Sequence, residues 1–281
     1  KVPYGTWIIR EIESPKGFVL SEEEIAVTIG KVDEAVEIEM VNYFIKGNIE
    51  LTKVDKDYPD NKLSGAVFEV FADTNGNGEF DKDDELLGEM TELDGGVYQM
   101  KDLRYGKYFV REKAAPTGFV LDENVYTVSI DENGKTYVVE NEAGKGFVNA
   151  AQAGSLKIVK TSSDGKVEGF SFRVTGVNGY DKTFTTDRNG EIFVEGLRIG
   201  DYTVSEVNDK ASAGYILPAD KQLTIKVGAT TIVQMHNEFR DTPKTGDDFN
   251  PYLWGGLAAV SLIGVGVLGF VGFKNRKKKE D

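Results

Sequence analysis

The chain has 281 residues, enough for two or three domains with cores of their own. Its 33 basic against 47 acidic side chains leave a formal charge of −14, which argues against nucleic acid or an anionic membrane surface as a partner, since both call for a basic face. There is no cysteine and one histidine, His236, so disulfides and thiol catalysis are excluded and most metal sites and the usual acid–base machinery are removed.

From the start, Tyr4 to Leu20 reads YGTWIIREIESPKGFVL, and it returns at Tyr105 to Leu121 as YGKYFVREKAAPTGFVL, with nine of 17 positions identical. A looser copy, GDYTVSEVNDKASAGYIL, begins at Gly200 and has Ser212-Ala213-Gly214-Tyr215 in place of Pro-x-Gly-Phe. In all three a glutamate (Glu11, Glu112, Glu206) lies six residues after a glycine. The segments IEMVN, YVVEN and VQMHN end at Asn42, Asn141 and Asn237, giving Glu-to-Asn spacings of 31, 29 and 31. GNIELTKVD from Gly47 matches GSLKIVKTS from Gly154, which aligns Lys53 with Lys160. The Lys-to-Glu spacings are 59 and 46, and the 13 residues of Asp73 to Glu85 account for the difference.

Each unit alternates short runs of Val, Ile, Tyr, Phe and Thr with Gly, Asn and Asp turns, the pattern of an all-β chain. The expected fold is a tandem of Greek-key β-sandwiches followed by a C-terminal transmembrane helix. The expected boundaries are the second half of one unit at 1–45, a unit at 46–143 with the acidic insertion 73–85, a linker at 144–153, a unit at 154–240 and a terminal signal at 241–281. Because the chain begins at Lys1 within a repeat and without a secretory signal, it is expected to be the C-terminal part of a longer protein.

Side chains two apart on a strand share a face. Lys53 shares its face with Ile49 and Leu51, and Lys160 with Leu156 and Ile158. Glu11, Glu112 and Glu206 follow apolar residues at the same parity, as do Asn42, Asn141 and Asn237. A lone buried ammonium or carboxylate costs several kcal/mol, and burial drives both toward neutral forms. A neutral amine is a nucleophile, and a protonated Glu can polarise an Asn side-chain carbonyl. Attack of lysine Nζ on asparagine Cγ with loss of ammonia leaves an uncharged amide. The alternative is that the lysines snorkel from an edge strand to a surface carboxylate.

These motifs resemble the CnaB (SpaA-type, prealbumin-like) domains of Gram-positive pilins and adhesins. The resemblance implies autocatalytic Lys–Asn isopeptide bonds with Glu as catalyst: Lys53, Glu112 and Asn141 in one unit, and Lys160, Glu206 and Asn237 in the next. Asn149 is the alternative acceptor in the first of these, and residues 1–45 carry Glu11 and Asn42 without a lysine. No separate enzyme activity is expected, since no other nucleophile–base pair stands out.

The insertion DTNGNGEFDKDDE resembles an EF-hand calcium loop, with Asp73, Asn75, Asn77, Asp81 and Asp84 as side-chain ligands and Glu79 lending its carbonyl. It departs from that pattern in Asp84 for Glu and in lacking flanking helices. The other reading is a solvated Asn-Gly-rich hairpin tip. No cofactor is required by either.

Leu253 to Phe273 is 21 residues without a charge, long enough to span a bilayer, and the basic residues of 274–281 follow it, placing that end in the cytoplasm. Thr242-Pro243-Lys244-Thr245-Gly246 stands just upstream. This order resembles the cell-wall sorting signal of Gram-positive surface proteins, with Thr242 where that family carries Leu. It implies cleavage by a sortase between Thr245 and Gly246 and transfer to a peptidoglycan or pilin amine. A plain tail anchor is the alternative. The implied protein is an extracellular, wall-anchored adhesin stalk or pilus-associated subunit. The alternatives are a polymerising pilin, or a domain that itself grips a host extracellular-matrix ligand. Tyr58-Pro59-Asp60 has Asp where polymerising pilins carry Lys, which favours the stalk.

Overall fold

The computed structural model describes residues 2–31 and 35–240. The pentapeptide 242–246, the apolar span 253–273 and the basic tail lie outside the described residues. Among the described residues no helix is long and apolar enough to cross a membrane. The chain divides into two compact units, 1–151 and 152–281.

The first unit opens with an antiparallel pair, β1 (Gly5–Arg10) and β2 (Glu24–Ile29). A sandwich follows. One sheet holds β3 (Lys46–Asp55), β6 (Thr91–Glu92), β7 (Val97–Arg104) and β10 (Thr136–Val138), in the order β10-β3-β7-β6, with β11 (Phe147–Asn149) also paired to β3. The other holds β4 (Val67–Ala72), β5 (Glu85–Glu89), β8 (Gly106–Ala114) and β9 (Val125–Ile130), in the order β5-β4-β8-β9. Ile49, Leu51, Phe68, Val70, Tyr98, Val110 and Phe147 fill the space between the sheets. Burying one such side chain contributes roughly 1.5–3 kcal/mol.

The second unit repeats this plan. One sheet is β15 (Glu191–Arg198), β12 (Ala153–Ser162), β19 (Thr230–Phe239) and β17 (Tyr215–Ile216), in that order. The other is β14 (Tyr180–Thr185), β13 (Ser171–Gly176), β16 (Gly200–Glu206) and β18 (Lys221–Ile225). A single 3-10 turn, Val177–Gly179, is the only helical segment among the described residues.

Two features of this plan position the site. The lysine strand and the last strand are parallel neighbours, β3 with β10 and β11, and β12 with β19. The glutamate strands β8 and β16 lie in the facing sheets, with Glu112 opposite Phe68 and Glu206 opposite Phe172. The repeated glycine that opens β1, β8 and β16 has φ of 140° at Gly5, 157° at Gly106 and 136° at Gly200, a region that residues with a Cβ rarely adopt.

The first complete sandwich departs from the expected boundary. Residues 144–153 were expected to link two units, but Phe147–Asn149 is a strand of the sandwich, with Phe147 opposite Lys53 and Asn149 opposite Asp55. The chain leaves the ladder after Val138, turns through a bridge between Glu142 and Gly146, and returns. The insertion 73–85 falls between β4 and β5, where its Phe80 ring packs on Phe71 and Phe109, 4.9 and 5.7 Å between centroids.

Candidate functional site

Lys53 and Lys160 are 0% and 1% exposed, which rules out the snorkelling alternative. β3 and β12 put them inside because they alternate in step with Ile49, Leu51, Leu156 and Ile158. In the second unit the sequence-predicted set comes together. Asn237 is fully buried and its Nδ2 donates to Glu206 Oε1 at 2.6 Å. Lys160 pairs with Met235 in the parallel ladder, so Asn237 is its diagonal neighbour on the same face. A strand spacing of about 4.8 Å and two rises of about 3.3 Å put the two Cα atoms roughly 8 Å apart, within reach of a lysine side chain. Lys160 Nζ lies 4.3 Å from the centroid of the Phe170 ring and donates to Thr161 O at 2.6 Å. Burial lowers the Lys160 amine from its usual value and raises the Glu206 carboxyl, so both move toward neutrality. Asn237 Oδ1 and Glu206 Oε2 are buried without a hydrogen-bond partner. A protonated Glu206 facing an Asn237 amide turned end for end would pair oxygen with oxygen, which polarises the carbonyl.

In the first unit the asparagine that meets the glutamate is Asn149, not the expected Asn141. Asn149 Nδ2, not that of Asn141, reaches Glu112, 2.9 Å from each carboxylate oxygen. Lys53 Nζ is 3.7 Å from Glu112 Oε1 and donates to Phe147 O at 3.0 Å. The register is that of the second unit: the lysine faces one residue of the last strand, and the buried asparagine is two residues on. Asn141 is half-buried and closes the excursion of the chain. Its Oδ1 accepts from Val148 N at 2.7 Å, and its Nδ2 donates to Val148 O and Asp122 Oδ2 at 2.8 Å each. The bridges after each asparagine agree: Phe18 to Phe44, Phe119 to Ala151 and Tyr215 to Phe239 each fall two residues beyond Asn42, Asn149 and Asn237. A sequence signal for Asn149 existed, since it lies eleven positions before Lys160, as Asn42 lies eleven positions before Lys53.

Each amine also faces a second carboxylate that sequence reasoning missed. Burial pulls Lys53 down to about 8, against the pull of Glu112 and Asp122. Burial works to raise the Asp122 carboxyl, but hydrogen bonds from Asn141, Tyr126 and Asn124 hold it below its usual value. The Asp122 backbone N–H donates to Glu112 Oε2 at 2.8 Å. Asp164 plays the corresponding part near Lys160. Hydrogen bonds from Tyr215 and Ser162 bring it down to about 2.

Glu11 and Asn42 also meet, with Asn42 Nδ2 2.7 Å from Glu11 Oε2, which accepts the Ser21 backbone N–H at 2.7 Å. None of the ion pairs among the described residues involves Glu11.

In the acidic loop, Asn75 and Asn77 donate to the Asp81 carboxylate, Gly78 N donates to Asp73 Oδ2 and Asp81 N to Asp84 Oδ2. Asp73 Oδ1 and Asp84 Oδ1 are buried without a partner. Among the described residues no group of three or more His, Cys, Asp or Glu side chains stands ready to hold a metal ion. The loop closes through its own hydrogen bonds.

The family model for the SpaA prealbumin-like fold domain matches residues 1–43, 47–145 and 154–239. The chain belongs to the SpaA prealbumin-like family. Among solved structures, the Bacillus anthracis TIE protein is 25% identical with a TM-score of 0.62, over 85% of this chain and 42% of that one. The SpaA-family chain described here thus spans less than half the length of that relative. GBS52, the minor pilin of Streptococcus agalactiae, is 17% identical with a TM-score of 0.32, over 72% of this chain and all of that one. The pilus adhesin SpaC of Lactobacillus rhamnosus GG is 17% identical with a TM-score of 0.43, over 71% of this chain and 32% of that one. Superpositions that loose carry no weight for the fold. No curated protein matches the chain.

Proposed function

We propose that the protein is an extracellular, wall-anchored surface subunit, the stalk of an adhesin or a pilus-associated protein, whose sandwiches are locked by Lys53–Asn149 and Lys160–Asn237 isopeptide bonds. The observation that carries this is the repeated register: in both sandwiches a fully buried lysine, a glutamate of the facing sheet and a buried asparagine of the parallel last strand share one pocket of the core.

The reaction follows from those groups. Burial supplies the neutral amine, and Nζ attacks Cγ of the asparagine. Glutamate carries a proton from the attacking nitrogen to the departing one, the Cγ–Nδ2 bond breaks and ammonia leaves. Holding the reactants together replaces a bimolecular step with an intramolecular one, worth up to about 7–11 kcal/mol in well-oriented cases. The product joins a first strand to a last strand, so tension passes along covalent bonds and the sheets cannot unzip. That role fits a cysteine-free protein outside the cell.

Anchoring rests on Thr242 to Gly246 and the segments after it. A sortase would cut after Thr245 and pass it to a peptidoglycan or pilin amine. Incubation with sortase is expected to release the residues after Thr245, and resistance to every sortase class would remove the anchor.

The deciding experiment is the intact mass of residues 1–240. A deficit of two ammonia masses is expected, falling to one in Asn149→Ala and staying at two in Asn141→Ala. An undiminished mass would overturn the crosslinks and leave two ordinary β-sandwiches.

A further inference from the structure

The strand that carries Asn149 is short. β11 has three residues, against ten in β19 of the second sandwich. Phe147 and Asn149 lie opposite Lys53 and Asp55 of β3, and both backbone groups of Val148 between them meet one side chain. Asn141 Oδ1 accepts from Val148 N at 2.7 Å, and Asn141 Nδ2 donates to Val148 O at 2.8 Å. A side-chain amide thus does for β11 what a neighbouring strand does in a ladder. The same Nδ2 gives its other proton to Asp122 Oδ2 at 2.8 Å, which also accepts from the Tyr126 hydroxyl at 2.7 Å. The Tyr126 ring packs edge-on against Phe147, 5.2 Å between centroids. From Asp122 again, the backbone N–H reaches Glu112 Oε2 at 2.8 Å. One residue therefore joins the glutamate to the strand of the asparagine. The other copies lack this joint. In the repeat at 4–20 the matching position is Ser21, whose backbone N–H keeps the bond to Glu11 Oε2 at 2.7 Å but which has no carboxylate. In the second sandwich Glu206 Oε2 has no partner, and β19 runs beside β12 from Ser155 to Ser162, so its asparagine is held by the ladder itself.

We propose that Asp122 is a positioning residue of the first crosslink, a clasp that seats Glu112 through its backbone and Asn149 through Asn141. The inference rests on the lysine–asparagine chemistry proposed above. Without the clasp, a three-residue strand and its amide carbon shift relative to the glutamate, and a misplacement of about 1 Å can slow a reaction by about 10²-fold. The carboxylate has a second effect. Lys53 faces Glu112 of β8 and Asp122 of the loop after it, and the buried Asp55 follows it on β3. The charge of Asp122 favours the ammonium form of Lys53, against burial, which favours the amine. Asp122 thus aligns the reactants while holding back the neutral amine. Position and charge act on the rate in opposite directions, and two substitutions separate them.

The test refolds residues 1–240, which hold both complete sandwiches, from an unfolded, unreacted chain at about pH 6 to 9. Time-resolved mass spectrometry of digests follows the branched peptide of each crosslink. Asp122→Ala removes clasp and charge together. It should slow the first crosslink by about 10- to 100-fold at high pH, where the amine is neutral in either chain, and leave the second crosslink unchanged. Asp122→Asn keeps an oxygen for Asn141 and Tyr126 and removes only the charge. It should match the parent at high pH and exceed it about threefold near pH 6.5. A first crosslink that forms at the parent rate in Asp122→Ala overturns the proposal. So does an Asp122→Asn chain as slow as Asp122→Ala with its pH profile unmoved. If the parent forms no first crosslink, the lysine–asparagine chemistry has failed there, and amide hydrogen exchange decides the clasp by itself. The Val148 amide should then exchange about tenfold faster in Asp122→Ala than in the parent, and equal exchange overturns the clasp.

Discussion

The two complete sandwiches place the same three residue types at the same register, yet satisfy them differently. In the first, both Glu112 oxygens receive donors, from Asn149 and from the Asp122 backbone, and Lys53 stands within ion-pair distance. In the second, Glu206 Oε2 has no partner, while the asparagine oxygen, Asn149 Oδ1 or Asn237 Oδ1, is unpartnered in both and each lysine donates to a backbone carbonyl. A buried polar group without a partner costs about 1–3 kcal/mol. On the proposed chemistry the second site, with one more unpartnered oxygen, would gain more from condensation. In the proposed reaction register would select the reactants, and the local donors would set how strongly each site is driven.

The largest break in the comparison is loss of a crosslink. Asn237→Ala and Asn149→Ala should each lower the stability of their own sandwich by about 4 kcal/mol, by analogy with a disulfide closing a long loop. For a domain of this size that is a melting shift of roughly 20 °C. Asn141→Ala, which only loosens the excursion before β11, should cost about 1 kcal/mol. Calorimetry separates the two asparagines, and equal losses would return the acceptor role to Asn141.

The next effect is kinetic. Glu112→Gln and Glu206→Gln keep the shape but cannot relay a proton, so crosslinking after refolding from an unfolded, unreacted chain should slow by about 10²–10⁴-fold. Time-resolved mass spectrometry would follow it. A Gln variant that reacts at the parent rate would leave its glutamate without a catalytic part.

Dependence on pH should then sharpen the difference between the sites. Lys53 is lowered to about 8 by burial, so its neutral, reactive fraction grows about tenfold per pH unit below that value and levels off above it. The first crosslink should form faster as pH rises from 6 to 8. At the second site burial lowers Lys160 and raises Glu206, so the neutral amine gained as pH climbs is offset by loss of the protonated carboxyl, and the rate there should pass through a maximum and fall at high pH. Identical profiles for the two crosslinks would show that the local donors do not matter.

The smallest expected effect is calcium at the loop 73–85. The unpaired Asp73 Oδ1 and Asp84 Oδ1 are the atoms a cation would engage. At a concentration equal to its Kd, calcium would add about 0.4 kcal/mol, a melting shift of roughly 2 °C. The absence of any shift, with Asp73→Asn behaving as the parent, would leave the loop a hairpin tip held by its own hydrogen bonds.

Much of this molecule was legible in the sequence. Strand alternation alone placed Lys53, Lys160, Glu112 and Glu206 on buried faces, because the period of a strand is fixed by covalent geometry. The internal repeat announced the tandem sandwiches and located the insertion, which falls in the β4–β5 connection as its length suggested. That Asn149 and not Asn141 meets Glu112 has a nonlocal reason. YVVEN has the look of the other closing strands, but its last residues leave the ladder, and the chain regains β3 only at Phe147. Which of two nearby asparagines meets Glu112 depends on a parallel pairing between strands more than ninety residues apart, and no local pattern encodes that pairing. Asp122 and Asp164 were missed for the same reason, since loops bring them to the amines. Sequence by itself determined which side chains had to be buried; only the packed sheets decided which of them touch, because contact across a core is set by register and loop path, not by spacing along the chain.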